Sequence, residues 1–169
     1  MTRTASVFAA TALAALAWFA GTAGTAVRAT PPCATSGLVV WLNTQGNGAA
    51  GSIYYQLRLT NLSGRTCTLF GYPGVSAVDL AGHQLGSAAR RNPAHRPQHV
   101  TLAPGATANV VLQVAEAGNF PPSTCRQVTA AGLRVYPPNQ TAAKIVPYPF
   151  QACSRTGPVY LSVEAAQHA

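Results

Sequence analysis

Three stretches of this chain alternate apolar and polar side chains with a strict period of two. Ile53, Tyr55, Leu57 and Leu59 interleave with Tyr54, Gln56, Arg58 and Thr60. Ala108, Val110, Leu112 and Val114 interleave with Asn109, Val111, Gln113 and Ala115, and Val159, Leu161 and Val163 with Tyr160, Ser162 and Glu164. Successive side chains of an extended strand point to opposite faces, so each run reads as a strand with one buried face. Shorter runs at 38–42, 67–70, 75–80, 98–102, 133–136 and 144–146 read as further strands. Beyond residue 29 no stretch is both long and apolar at the helical period. The punctuation agrees. Tyr72-Pro73-Gly74-Val75 and Ala103-Pro104-Gly105-Ala106 carry the Pro-Gly signature of type II turns. That turn twists the wrong way for a two-residue hairpin, so the second is expected to make a corner between sheets. Asp79-Leu80-Ala81-Gly82-His83 suits a hairpin loop, and Asn47-Gly48 marks another turn. Many short strands with frequent turns predict an all-β fold, an immunoglobulin-like antiparallel β-sandwich. The Cys–Trp–Cys spacing of true immunoglobulin domains is missing, and Trp41 is expected in or beside the core. The proline-rich stretch 137–150 reads as an ordered loop or an edge hairpin.

The start of the chain is different in kind. Met1-Thr2-Arg3 is short and basic, residues 7–20 are apolar apart from Thr11, and Val27-Arg28-Ala29 is a small-x-small cleavage site. That is the layout of a secretory signal peptide over residues 1–29, and the apolar run is too short to span a bilayer. The expected mature protein is one secreted domain over 30–169, with no transmembrane span. It lives outside the cytoplasm, free or associated with the cell wall. The residues before Cys33 do not form a lipid-attachment box.

An oxidising compartment turns four cysteines into two disulfides. Cys33 lies just before the run at 38–42, and Cys67 just after the run at 53–60. If these runs pair antiparallel, both cysteines meet at one end of the sheet, so Cys33–Cys67 is the favoured bond. Cys125–Cys153 then follows by exclusion. Each closes a loop of about thirty residues, worth roughly 3–4 kcal/mol in the chain-entropy model. The spacings are too wide for the Cys-x-x-Cys pairs of a zinc site.

These elements fall in a recognisable order. A cysteine opens the domain, a strand ends in Leu59-Thr60-Asn61, and Cys67-Thr68-Leu69-Phe70-Gly71-Tyr72-Pro73-Gly74-Val75 follows. Asp79 and Gly82 come next, then Val100-Thr101-Leu102-Ala103-Pro104-Gly105. This order resembles the family called domain of unknown function 4232. The resemblance covers nearly the whole mature chain. It implies a secreted or lipid-anchored actinobacterial sandwich domain with disulfides. It implies no activity, and it transfers no catalytic residue.

Composition narrows the chemistry further. The acidic residues are Asp79, Glu116 and Glu164 alone, against a formal charge of +8. Loss of Arg3 and Arg28 with the leader lowers that charge by two, and the chain stays basic. Three scattered acids are a poor supply for the facing carboxylates of a glycosidase. No Gly-x-Ser-x-Gly elbow accompanies the histidines. His95 and His99 have the i, i+4 spacing of a helical metal pair, but Pro93 and Pro97 argue against a helix there. Asp79, His83, His95 and His99 are therefore the residues of an alternative reading, a secreted enzyme or metal-binding protein. The principal expectation is a non-catalytic binding or structural domain without a cofactor. The one dense basic group is Arg90, Arg91 and Arg96, with His95 and His99, on the loop 88–99. Such a loop suits an anionic cell-wall polymer, with another secreted protein as the second class of partner. Nucleic acid is a poor fit, because no aromatic side chains interleave with the arginines. Against this stands a solvated, mobile loop with no role. Tyr136, Tyr148 and Phe150, set among prolines, are expected to pack a loop onto the sandwich.

Overall fold

The structure, a computed structural model, describes residues 29–169. The signal peptide expected over 1–29 lies outside the described residues, Ala29 excepted. The described chain forms strands β1 (Leu38–Ala49), β2 (Ser52–Asn61), β3 (Cys67–Phe70), β4 (Gly74–Val78), β5 (Gln84–Leu85) and β6 (Arg90–Arg91). After these come β7 (His99–Leu102), β8 (Thr107–Ala115), β9 (Gln127–Tyr136), β10 (Lys144–Cys153), β11 (Leu161–Val163) and β12 (Gln167–His168). One helical turn, α1 (Pro122–Cys125), precedes β9. The fold is all-β. A six-stranded sheet runs β1-β2-β8-β11-β6 with β12 also on β8, a four-stranded sheet runs β10-β9-β4-β5, and β3 pairs β7.

Two of the three alternating runs become the centre of the large sheet; the third forms only the short β11, and there Val159 is exposed while Tyr160 and Glu164 are buried, against the expected alternation. Strands β2 and β8 pair antiparallel in unbroken register from Ser52↔Ala115 to Thr60↔Thr107. Tyr55, Leu57, Leu59, Ala108, Val110, Leu112 and Val114 face inward and are buried. They join Val75, Ala77, Leu133 and Val135 of the four-stranded sheet, and Leu69, Val100 and Leu102 of β3–β7, in one core. At about 25 cal/mol per Å² of apolar surface, this burial is the main stabilising term.

Both disulfides form as paired from the sequence. Cys33 bonds Cys67 with Cα atoms 4.8 Å apart, and Cys125 bonds Cys153 at 4.5 Å. The reason is antiparallel pairing in each case. Leu38 faces Asn61 where β1 meets β2, and Gln127 faces Cys153 where β9 meets β10. Each bond closes the open end of a hairpin. Two structural disulfides fit an oxidising, extracytoplasmic compartment. No described helix is long and apolar enough to cross a membrane.

The turns are partly as read. Ala106 N–H donates to the Ala103 carbonyl at 3.0 Å, and Gly105 takes φ 81°. This type II turn joins β7 to β8, two strands of different sheets, so the corner forms as expected. The Asp79–His83 loop joins the β4–β5 hairpin. Two readings need correction. The positive φ near Pro73 belongs to Gly71 (95°), and Gly74 is already extended in β4. The first hairpin turns at Ala50 and Gly51 (φ 45° and 75°), not at Asn47-Gly48, which lies within β1. Trp41 is 40% exposed on the outer face of β1, outside the core. Its cross-strand partner is Arg58, whose guanidinium carbon sits 5.0 Å from the indole centroid, and this stack holds the ring outside. The proline-rich stretch ends in an edge strand, β10, where Pro147 and Pro149 sacrifice no interior hydrogen bonds.

Replacing Cys125 and Cys153 together by alanine is expected to lower the unfolding free energy by about 2–5 kcal/mol. Urea denaturation of the variant measures this, and an unchanged midpoint would contradict it.

Candidate functional site

The basic segment is an edge strand over its first part, not a free loop. Arg90 and Arg91 form β6, which runs parallel to β11 with Arg90↔Ser162 and Val163↔Arg91. Backbone bonds fix both ends of this strand. Ala89 N–H donates to Val75 at 2.8 Å, and Asn92 N–H to Val163 at 2.7 Å. Nothing local in Ala-Ala-Arg-Arg-Asn announces a strand, because its partner lies some seventy residues on. The expectation of a mobile loop fails for this part.

Beyond β6 the segment is latched to the sheet. Asn92 Nδ2 donates to Glu164 Oε1 at 3.3 Å, and His95 Nδ1 lies 2.6 Å from Glu164 Oε2. Asn92 Oδ1 also accepts from the Ala94 amide, closing an Asx turn. Glu164 is buried, and its carboxylate has a partner on each oxygen. A charge at that depth requires such partners. Sequence reasoning placed Glu164 only as a polar residue at the end of a strand. No motif links it to residue 95, so no signal in the sequence shows the latch.

A groove of about 370 Å³ opens where β6 and β11 meet β8, lined by Arg90, Arg91, Asn92, Gln113, Tyr160 and Ser162 among others. Its floor is a chain of neutral polar groups. Ser162 Oγ donates to Gln113 Oε1 at 2.9 Å, and Gln113 Nε2 donates to Ser52 Oγ at 3.0 Å. The Tyr160 hydroxyl donates to the Leu85 carbonyl at 2.8 Å, and burial pushes its pKa up, so it stays neutral. The Arg91 guanidinium carbon lies 5.5 Å from the Tyr72 ring centroid, an arrangement that orients it without neutralising it. The described ion pairs are His83–Asp79 and His95–Glu164, and neither involves an arginine. Arg90, exposed and on the same face as its partner Ser162, stands beside this neutral polar floor and offers a site for phosphate or carboxylate oxygens, while Arg91 alternates to the other face of β6, where it meets Tyr72.

The remaining sequence candidates are scattered. Arg96 is exposed beyond the latch and does not line the groove. His99 is in β7, its ring 4.7 Å from that of Phe70. His83 pairs with Asp79 at 3.2 Å in the β4–β5 turn. The His83 amide donates to the Asp79 carboxylate at 2.7 Å, and this bond holds the Asp79 pKa below 3.8. Because the folded pKa is lowered, this contribution to stability is present above the ordinary carboxylate range and lost as pH falls through the lowered value. The four residues of the alternative reading therefore fall in three separate places: Asp79 with His83, His95 with Glu164, and His99 beside Phe70. No group of three or more metal-ligating side chains is present among the described residues.

The latch gives a direct expectation. Glu164→Ala should leave the core intact and lower stability by about 1–3 kcal/mol. Amide hydrogen exchange should rise across residues 92–98. Unchanged protection there would show that the segment is held by backbone bonds alone.

No curated protein matches the chain. The family described as Domain of unknown function (DUF4232) matches residues 33–167, from the first disulfide cysteine through β11 to Gln167. With all three sheets and both disulfides inside that match, the chain belongs to the DUF4232 family.

Proposed function

We propose that this protein is a non-catalytic binding domain, exported to the cell envelope, that holds an anionic polymer in the groove lined by β6, β11 and the end of β8. One observation carries the reading. Arg90 stands in a groove with a neutral polar floor, Arg91 flanks it on the other face of β6, and neither belongs to a described ion pair. In a chain of formal charge +8, the acids near at hand are already used: Glu164 faces His95. The arginine charge is thus available to a partner. Polymers bearing phosphodiester or carboxylate groups match it, because guanidinium presents paired donors to paired oxygens. The two disulfides and the secretory layout of residues 1–29 support export. The reading as an enzyme or metal protein loses ground, since only Asp79 and His83 of its four residues meet, while His95 and His99 have other partners.

Titration calorimetry of the mature domain with a glycerol-phosphate oligomer tests the reading. Binding is expected at low ionic strength and should weaken steeply with salt. Replacing Arg90 and Arg91 by alanine should weaken binding about tenfold or more and flatten the salt dependence. Arg96→Ala should have a much smaller effect, because Arg96 lies outside the groove. Parent-like binding by the double variant would remove the groove from the account.

A further inference from the structure

A second concave site, which shares Ala115 with the arginine groove, is built from aromatic rings and a carboxylate. Strand β10 reads Lys-Ile-Val-Pro-Tyr-Pro-Phe-Gln, and its register against β9 shifts between Pro147 and Phe150. A shift of this kind is a bulge, which re-aims a side chain. The residue opposite Pro147 is Gly132, where an added Cβ would collide with the Val146 carbonyl oxygen. Glycine at 132 therefore lets the bulged backbone approach β9.

The bulge brings Tyr148 to Tyr55 of β2. Their hydroxyls hydrogen-bond, and their rings meet edge to face with centroids 5.2 Å apart. Phe150 stacks beside Tyr148 at 5.9 Å and 23°. Burial, with the Tyr55 bond, pushes the Tyr148 pKa up to about 12, so the hydroxyl bridge persists at physiological pH. Tyr148 and Phe150 remain half-buried, and with Ile53 and Tyr55 they wall an open cleft of about 460 Å³. The sequence reading had these aromatics packing a loop onto the sandwich. They do pack, and they also leave this cleft open.

On its rim stands Glu116, the residue after β8. Its backbone is fixed on both sides. The Glu116 amide donates to Gly51 at 2.9 Å, and its carbonyl accepts from Asn119 at 3.0 Å. Its side chain is exposed. Of the three acids in the chain, Asp79 and Glu164 each hold a histidine, while Glu116 is in no described ion pair. A basic chain has thus left one carboxylate unneutralised beside three aromatic rings. Aromatic faces attract cations through their quadrupole, and a carboxylate adds charge attraction. Both features repel anions, and neither is needed for a neutral apolar ligand.

We propose that this cleft binds a small organic cation carrying a quaternary ammonium group, seated against Tyr148 and Phe150 and facing Glu116. The site shares Ala115 with the arginine groove but none of the side chains proposed to bind there. The rings are held in place before binding by the Tyr55–Tyr148 bond, so little ordering is needed on association.

Two-dimensional NMR titration of the mature domain with choline tests this. Saturable shifts are expected at the ring protons of Tyr55, Tyr148 and Phe150 and at Glu116. The uncharged carbon isostere of choline, with a tert-butyl group in place of trimethylammonium, should bind about tenfold more weakly. Glu116→Gln, at an exposed position, should fold as the parent does and bind choline about fivefold more weakly. Phe150→Leu should weaken binding by a similar factor, with an unchanged melt confirming the fold. Arg90→Ala should bind choline as the parent does. Equal binding of choline and its isostere, parent-like binding by Glu116→Gln, or no shift at a large excess of choline would each overturn the proposal.

Discussion

Strand β8 pairs along its full length with β2 on one side. On the other side it pairs with β11 and then with β12, which are two pieces of one interrupted strand. The interruption at 164–166 is where the fold changes from scaffold to site. Glu164 N–H still donates to Val111 at 3.0 Å, whereas Ala166 N–H donates to Gly71 outside the sheet. The chain leaves the ladder there, and the buried Glu164 carboxylate is free to hold Asn92 and His95. A continuous strand would have kept residue 164 in the ladder and left the segment beyond Asn92 without its side-chain latch. Pairing on both sides of β8 thus sets the core, the position of β6 and the polar floor at Gln113.

The scarcity of acids shapes the surface as strongly. With so few carboxylates, the cations are held by other groups. Arg58 stacks on Trp41, Arg91 on Tyr72, Arg134 reaches the Gly82 carbonyl, and Arg155 reaches that of Ser123. A ring face or a carbonyl orients a guanidinium but leaves its charge uncancelled. Exposed ion pairs contribute little to stability in any case, so the domain loses little by lacking them. Its stability rests on the core and on two disulfides, which suits a small exported domain.

What the sequence made legible follows from the range of each interaction. The alternation in β2 and β8 is local, and both strands form where the pattern places them. Cys33–Cys67 was readable because it reports a hairpin end, Cys125–Cys153 because it is what then remains, and the corner at Ala103–Ala106 because Pro-Gly dictates its own geometry. The misreadings involve longer-range partners or competing local choices. Gly71, not Gly74, takes the left-handed conformation, because Gly74 is drawn into β4 opposite Tyr136. Trp41 is outside because Arg58 on the next strand covers it. Strand β6 and the Glu164 latch join residues about seventy positions apart, and no local pattern encodes that. Of the candidate site, the identity of Arg90 and Arg91 was visible; the groove, its floor and the exclusion of Arg96 from it were not.

The position of a bound anion distinguishes an occupied arginine groove from bare solvated surface. A crystal structure of the mature domain with a short glycerol-phosphate oligomer should place a phosphate within hydrogen-bonding distance of the Arg90 guanidinium, over the Gln113–Ser162 floor. An oligomer bound only elsewhere, with the groove lined by β6, β11 and the end of β8 empty, would contradict the proposed binding.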